Sequence, residues 1–194
     1  MNLYSKILSI TIGYTICGIL TSAVFPSLSF GEEAKEPVKL KIGDMAPSFA
    51  LRNLDGVYIK LSDFCGPLPE GSKDKRNIVL LDFFATWCKP CFPEISILKK
   101  IHKKYKNNGL IVFLISIDIE GSDVVKPFVK NRKICLPVLL DMYKVTADRY
   151  GVKGIPHLFV VDRDGKIKAI YVGKEKGLEK KLRRDIKELL KEDD

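Results

Sequence analysis

From Leu40 onward the apolar positions of the chain fall into two rhythms. Ile78 to Phe84 and Leu110 to Ile117 are near-continuous apolar runs of strand length, the pattern of strands covered on both faces, as in a parallel sheet. Between them Phe92, Ile95, Leu98, Ile101 and Tyr105 recur at three- or four-residue spacing, and Asn107-Asn108-Gly109 supplies a stop, which predicts an amphipathic helix. The three together form a strand-helix-strand unit whose crossover is expected to be right-handed. Ser48 to Leu51 and Val57 to Leu61 flank Asn53-Leu54-Asp55-Gly56, and Leu158 to Val161 and Ile167 to Val172 flank Asp162-Arg163-Asp164-Gly165. Asp-Gly between apolar segments predicts a hairpin in each place. Cys65 to Asn77, rich in Gly, Pro and Lys, reads as a loop. A second helix is expected between Ser122 and Arg132, its start shifted or its axis bent by Pro127. Val138 to Leu140 is a short strand, Val145 to Tyr150 a short helix, and Leu178, Leu182, Ile186 and Leu190 are the stripe of a closing helix. The predicted class is α/β: a central mixed sheet of about five strands with helices on both faces, preceded by a β-hairpin, in one domain over residues 40–192.

The start of the chain breaks this pattern. Lys6 precedes an apolar run from Ile7 to Phe25, followed by Pro26 and then Ser29-Phe30-Gly31, the order of a secretory signal peptide with a cut after Gly31. The run is also close to the minimum for spanning a bilayer, so residues 1–31 read either as a cleaved leader or as a retained N-terminal membrane anchor. Either reading exports the domain, to the periplasm or the outer face of the cytoplasmic membrane. Residues 32–39 form a charged, proline-containing linker. Cys17 lacks the small residue expected just before a lipidated cysteine.

Composition narrows the classes. With 46% hydrophobic and 29% charged residues in 194, the chain matches neither a disordered nor a polytopic membrane protein. Lys and Arg number 33 against 24 Asp and Glu, a formal charge of +9. The basic residues are spread over several predicted helix faces, Lys99 to Lys106 and Lys174 to Lys187 among them, with acids interleaved in the second. Solvated faces explain them, and no nucleic acid partner is expected. Of five cysteines, those outside the leader are Cys65, Cys88, Cys91 and Cys135, too few for a disulfide-built scaffold.

The close pair carries the chemistry. Cys88-Lys89-Pro90-Cys91 follows an apolar strand and opens an amphipathic helix, whose N-terminus offers unpaired amides and a positive dipole end that favour thiolate. Cys88, at the extreme end, is the expected nucleophile, and Cys91, one turn in and more buried, the resolving thiol. A structural zinc site would want a second Cys or His pair at similar spacing, and haem attachment would want His where Phe92 stands. Asp82 lies six residues before Cys88 inside the apolar run. Burial should raise its pKa toward a range useful for proton transfer, and the even offset keeps it on the side from which the cysteine turn begins, so Asp82 is expected to exchange a proton with Cys91. The plainer alternative is a strand-end acid reaching water. Ile155-Pro156, after Gly154, is compatible with an ordinary turn.

Trp87-Cys88-Lys89-Pro90-Cys91 preceded by Leu81-Asp82-Phe83-Phe84-Ala85-Thr86, with Gly151-Val152-Lys153-Gly154-Ile155-Pro156 followed by Phe159-Val160-Val161-Asp162-Arg163-Asp164-Gly165, resembles the exported thioredoxin-like thiol-disulfide oxidoreductases of the TlpA/ResA type. The likeness runs from about Lys41 to Leu190. It implies a thioredoxin-like fold and thiol-disulfide exchange with protein disulfide substrates through a Cys88-Cys91 couple, with no cofactor. The resemblance favours a reductant, of apocytochrome c during cytochrome c maturation or of another exported protein, re-reduced by a membrane electron donor of the CcdA/DsbD kind. It implies that Pro156 is cis and faces the Cys88-Cys91 turn, that the backbone near Ile155 pairs with the substrate chain, and that Trp87 and Pro90 lie on the substrate side. Leu110 to Tyr150 looks like the insertion this subfamily adds between the halves of the fold. Glu94 matches an acidic residue that the cytochrome-maturation members use, although a first-turn glutamate also suits the helix dipole.

The chain departs from the subfamily in several places. Position 82 is often Asn there and Asp in thioredoxins themselves. A helix proline is replaced by Ser96, with Pro93 earlier, and the threonine after the cis-proline is His157. That histidine has three readings: an ordinary strand-start residue, a stabiliser of the Cys88 thiolate, or a copper ligand. The alternatives to an oxidoreductase are accordingly a Cu(I) carrier using Cys88, Cys91 and His157, and a peroxiredoxin-like peroxidase. The peroxidase would place a lone cysteine at a Thr-x-x spacing and pair it with an arginine, whereas Thr86 is only two residues from Cys88. Lys89 and His157 would run the same motif as an oxidant if they stabilised the reduced thiolate enough. Cys65 and Cys135 sit in no motif and read as a structural disulfide or as two separate thiols.

Overall fold

Both hairpins and the central strand-helix-strand unit form where the apolar rhythm puts them. A computed structural model describes residues 39–68 and 76–191, so the leader and all but the last linker residue lie outside the described residues. In chain order the elements are β1 (Ala50–Asn53), β2 (Tyr58–Lys60), β3 (Ile78–Phe84), α1 (Cys91–Tyr105), β4 (Leu110–Ser116), α2 (Ser122–Asn131), β5 (Val138–Leu140), α3 (Val145–Arg149), β6 (His157–Val161), β7 (Ile167–Val172) and α4 (Leu178–Lys191). Pro127 lies inside α2, which runs through it. Among the described residues no helix is long and apolar enough to cross a membrane.

The sheet has seven strands, in the order β2-β1-β5-β4-β3-β6-β7, rather than about five. The difference is the first hairpin. It does not precede the sheet but joins it, because β1 pairs antiparallel with β5 through Arg52 with Leu140 and Asn53 with Leu139. β5 is only three residues long and would otherwise leave unpaired backbone groups at an edge. β4, where the expected insertion begins, pairs in parallel with β3 along its whole length, from Ile78 with Leu110 to Phe84 with Ser116. It is a central strand, so what the 110–150 segment adds to the core beyond it is α2, β5 and α3.

Strand alternation splits the core in two. On one face Ile78, Leu80 and Phe84 of β3 pack with Leu98 of α1, Val125 of α2, Leu182 of α4 and both Cys88 and Cys91. On the other, Val79, Leu81 and Phe83 pack with Phe159, Ala147, Tyr150 and Cys65. All seven residues of β3 are buried, which is why the strand reads as a continuous apolar run.

Candidate active site

Past Phe84 the chain makes two tight turns before the helix. The Cys88 amide donates to the Ala85 carbonyl at 3.1 Å, and the Cys91 amide donates to the Cys88 carbonyl at 3.0 Å. α1 begins only at Cys91, after Pro90 at φ −63°, ψ −23°, and no side chain caps it. Cys88 therefore stands ahead of the helix rather than at its extreme end, and the amides expected to be unpaired are occupied: those of Cys91 and Phe92 donate to the Cys88 and Lys89 carbonyls. Tight turns use the amides that a helix start would otherwise leave open, so the electrostatic aid left to the sulfur is the dipole end. Cys88 and Cys91 are joined in a disulfide with Cα atoms 5.4 Å apart. Cys88 keeps 3% of its surface exposed and Cys91 none, whereas Trp87 stands 66% exposed and Lys89 and Pro90 are exposed beside it.

Asp82 is fully buried and does not reach water. It belongs to the β3 residues that face α1, alternating with Leu81 and Phe83, which face away. Neither of its oxygens has an ordinary donor. Beside it is the carboxyl of Glu94, also buried, one turn after Cys91 on α1. Two carboxyls bond only when one holds a proton. Burial, and then the charge and hydrogen bond of Glu94, push the Asp82 pKa well above the usual carboxylate range. Burial also raises Glu94, opposed by its bond to Asp82 and helped by the charge of Glu175, from 4.5 to about 7. The two acids thus hold a proton between them well above the usual carboxylate range, because burial and their mutual charge disfavour the doubly ionised pair.

The Ile155–Pro156 peptide bond is cis. Phe83 pairs with His157 across β3 and β6, so Pro156 lies level with the end of β3, where the cysteine turns begin. The His157 ring stacks on Phe159 at 4.7 Å between centroids, and Phe159 belongs to the face away from Cys88 and Cys91. Burial lowers the His157 pKa, and its Nδ1 is buried without a partner. The structure therefore does not bring His157 together with the cysteines. Among the described residues no group of three His, Cys, Asp or Glu is placed to hold a metal ion. Cys65 and Cys135 are separate free thiols, the first buried and the second exposed.

Two features near the turn were missed from sequence. Asp118, just past β4, accepts hydrogen bonds from the Thr86 amide and hydroxyl and from the Ser116 hydroxyl. The signal available was the pair of polar residues, Ser116 and Asp118, interrupting an apolar run at alternate positions. The second is α2, whose Phe128 ring lies 5.4 Å from that of Phe92, while the Arg132 guanidinium following α2 lies 3.7 Å above the Phe92 ring. The inserted helix thus buttresses the residue directly after Cys91.

The chain has counterparts among known proteins. The family model described as the AhpC/TSA family matches residues 42–170. The thiol-disulfide oxidoreductase ResA of Bacillus cereus is 37% identical over 150 residues, which cover 77% of this chain and 79% of that protein. The chain belongs to the AhpC/TSA family, among its ResA-type thiol-disulfide oxidoreductases. The thioredoxin-like protein YneN of Bacillus subtilis is 34% identical over 152 residues, covering 77% of this chain and 83% of that one. A crystal structure from Chlorobium tepidum, provisionally described as the thiol:disulfide interchange protein DsbE, superposes with a TM-score of 0.69 at 32% identity, over 78% of this chain and 99% of that one. A ResA-type oxidoreductase carries its chemistry in a dithiol/disulfide couple, and Cys88–Cys91 is the disulfide this chain holds. The enzyme class is thiol-disulfide oxidoreductase.

Proposed function

We propose that this enzyme is an exported reductant of protein disulfides, with Cys88 as attacking thiol, Cys91 as resolving thiol and the Asp82–Glu94 pair as the proton store. The observation that carries the reading is that pair, buried on the dithiol's side of the sheet, with neither Asp82 oxygen nor Glu94 Oε1 bonded to a cation among the described residues. Starting from the reduced enzyme, the Cys88 thiolate attacks one sulfur of the substrate disulfide. The substrate S–S bond breaks, its electron pair leaves on the second substrate sulfur, and a mixed disulfide forms. Cys91 then loses its proton to the carboxyl pair and attacks the Cys88 sulfur, which closes the Cys88–Cys91 bond and releases the first substrate sulfur as thiolate. Two electrons pass to the substrate, and a dithiol donor must return them. Trp87 and Pro90 on one side, and the Ile155 backbone before cis-Pro156 on the other, frame the place of the substrate chain.

Electrostatics support the reducing direction. Stabilising the reduced thiolate raises the potential of such a couple. Here two buried carboxyls lie on the dithiol's side, and His157 packs on the far face, so little holds a thiolate down in energy. A low potential and a reducing role fit. Export rests on the apolar leader at 1–31, and the ResA resemblance supports apocytochrome c as one substrate and a membrane electron donor of the CcdA/DsbD kind.

The test is the reduction potential of the purified protein, read from Trp87 fluorescence and thiol trapping across defined redox buffers. A two-electron transition below about −230 mV is expected, and one above about −150 mV would reverse the direction.

A further inference from the structure

We infer that Asp118 is a positioning residue for the attacking cysteine, acting through Thr86. The inference rests on the assignment of Cys88 as attacking thiol. The parallel ladder between β3 and β4 ends at Phe84 with Ser116, and one further backbone bond, from the Ile117 amide to the Phe84 carbonyl at 3.0 Å, closes it. Beyond that point the connection between the two strands passes to one side chain. Asp118 is 1% exposed, and its two oxygens receive the Thr86 amide at 3.1 and 3.0 Å. The Thr86 hydroxyl donates to Oδ1 at 2.7 Å and the Ser116 hydroxyl to Oδ2 at 2.7 Å. The Asp118 amide in turn donates to Ser116 Oγ at 3.2 Å.

Thr86 is the second residue of the turn that the Cys88 amide closes onto the Ala85 carbonyl. Holding its amide and its hydroxyl on one buried carboxylate fixes the orientation of the peptide plane that leads into Trp87 and Cys88. A buried carboxylate saturated by donors is a rigid anchor, since losing any one bond leaves a charge or a donor unpaired. Nothing else in the turn is so tied: Cys88 is held by its own turn bonds, and Trp87 projects into solvent. The helix that carries Cys91 is fixed by its packing, so the Asp118 clamp decides how the Cys88 side of the pair meets a substrate sulfur.

Asp118→Ala is expected to slow reduction of insulin disulfides by the dithiothreitol-driven enzyme by about tenfold to a hundredfold, the scale of a misplacement of about 1 Å. Because Trp87 is the single tryptophan of the chain, its time-resolved anisotropy reports the same turn, and a larger amplitude of nanosecond motion is expected in the variant. Asp118→Asn, which keeps the shape and one acceptor oxygen, should recover part of both. The control is Asp141→Ala. Asp141 is another buried carboxylate holding two amides, those of Thr146 and Ala147, at the start of α3, and its loss should lower stability while leaving rate and anisotropy unchanged. Should Asp118→Ala fail to fold, Thr86→Val removes only the hydroxyl bond and should move both readouts in the same direction by less. Wild-type rate and anisotropy in Asp118→Ala, or equal losses in Asp118→Ala and Asp141→Ala, would overturn the inference. A wild-type enzyme whose Cys91→Ser form captures insulin at no Cys88 sulfur would instead overturn the assignment on which it rests.

Discussion

The two faces of the sheet each bury sulfur and ionisable groups, yet one is built to react and the other is silent. On the α1 face the Cys88–Cys91 disulfide packs into the core, and Asp82 and Glu94 are buried on the same side of the sheet, two acids bonded to each other at most through a shared proton. On the opposite face Cys65, Tyr150 and His157 lie among aromatic and aliphatic side chains, their polar atoms facing backbone at most. Burial pushes the Cys65 thiol up to about 12 and raises Tyr150, whose hydroxyl donates to the Pro47 carbonyl at 2.8 Å. Burial perturbs titration equally readily on both faces. It becomes useful only where the perturbed group has a partner to exchange with and a sulfur within reach of solvent.

The sharpest separation of the faces is by cysteine replacement. Cys88→Ser should reduce turnover of insulin disulfides by at least about a thousandfold, the order lost with an essential nucleophile, and should trap no mixed disulfide. Cys91→Ser should still attack and should accumulate the Cys88 adduct, detectable by mass spectrometry, whereas Cys65→Ala should turn over at the wild-type rate. Retained reduction by Cys88→Ser would erase the distinction. Next in size is the proton store. Glu94→Gln should slow the resolving step above pH 7 by about a hundredfold, within the range of general base catalysis, and should remove the rise of that step through pH 7; stopped-flow fluorescence of Trp87 follows it. Asp82→Asn should slow the same step at neutral pH without preventing folding.

The smaller expected effects are on stability. Glu94 keeps its proton in the folded state up to about pH 7 but loses it near 4.5 when unfolded. The folded protein therefore binds more protons between these values, and stability falls as pH rises through them, by roughly 3 kcal/mol at about 1.4 kcal/mol per pH unit. Urea unfolding at pH 5 and pH 8 should show that loss in the wild type and a smaller one in Glu94→Gln, where only the buried Asp82 still holds a raised pKa. A wild type more stable at pH 8 than at pH 5 would contradict the buried pair. Smallest is Cys65→Ala, which should cost about 1 kcal/mol for the lost packing on the silent face, read from the same unfolding curves.

Much of this arrangement was legible in the chain, because local rules governed it. Ile78 to Phe84 reads as a doubly covered strand since every one of its residues is buried, and Asp82 could be placed on the dithiol side by parity within one strand. What could not be read depended on register between distant segments. The same parity rule would have put His157 on the far face, but only once Phe83 was known to pair with it. The union of β1 with β5 joins residues near 52 and 140, and no local signal announces it. The clamp of Asp118 on Thr86 spans 32 residues. The true start of α1 escaped for a different reason: the tight turn closed by Cys91 onto Cys88 competes with a longer helix for the same amides, and Pro90 sets the boundary between them.

The docking of the first hairpin on β5 has a consequence for how the protein keeps to itself. A fragment starting at Ile78 would hold both cysteines, both acids and the cis-proline, and would look sufficient. It would also leave the Leu139 and Leu140 backbone as a bare margin of the sheet, open to the strand of any passing molecule. The hairpin, ending in Lys60, closes that margin with a short, charged border. Residues that never approach the sulfur chemistry thereby guard the enzyme against aggregation.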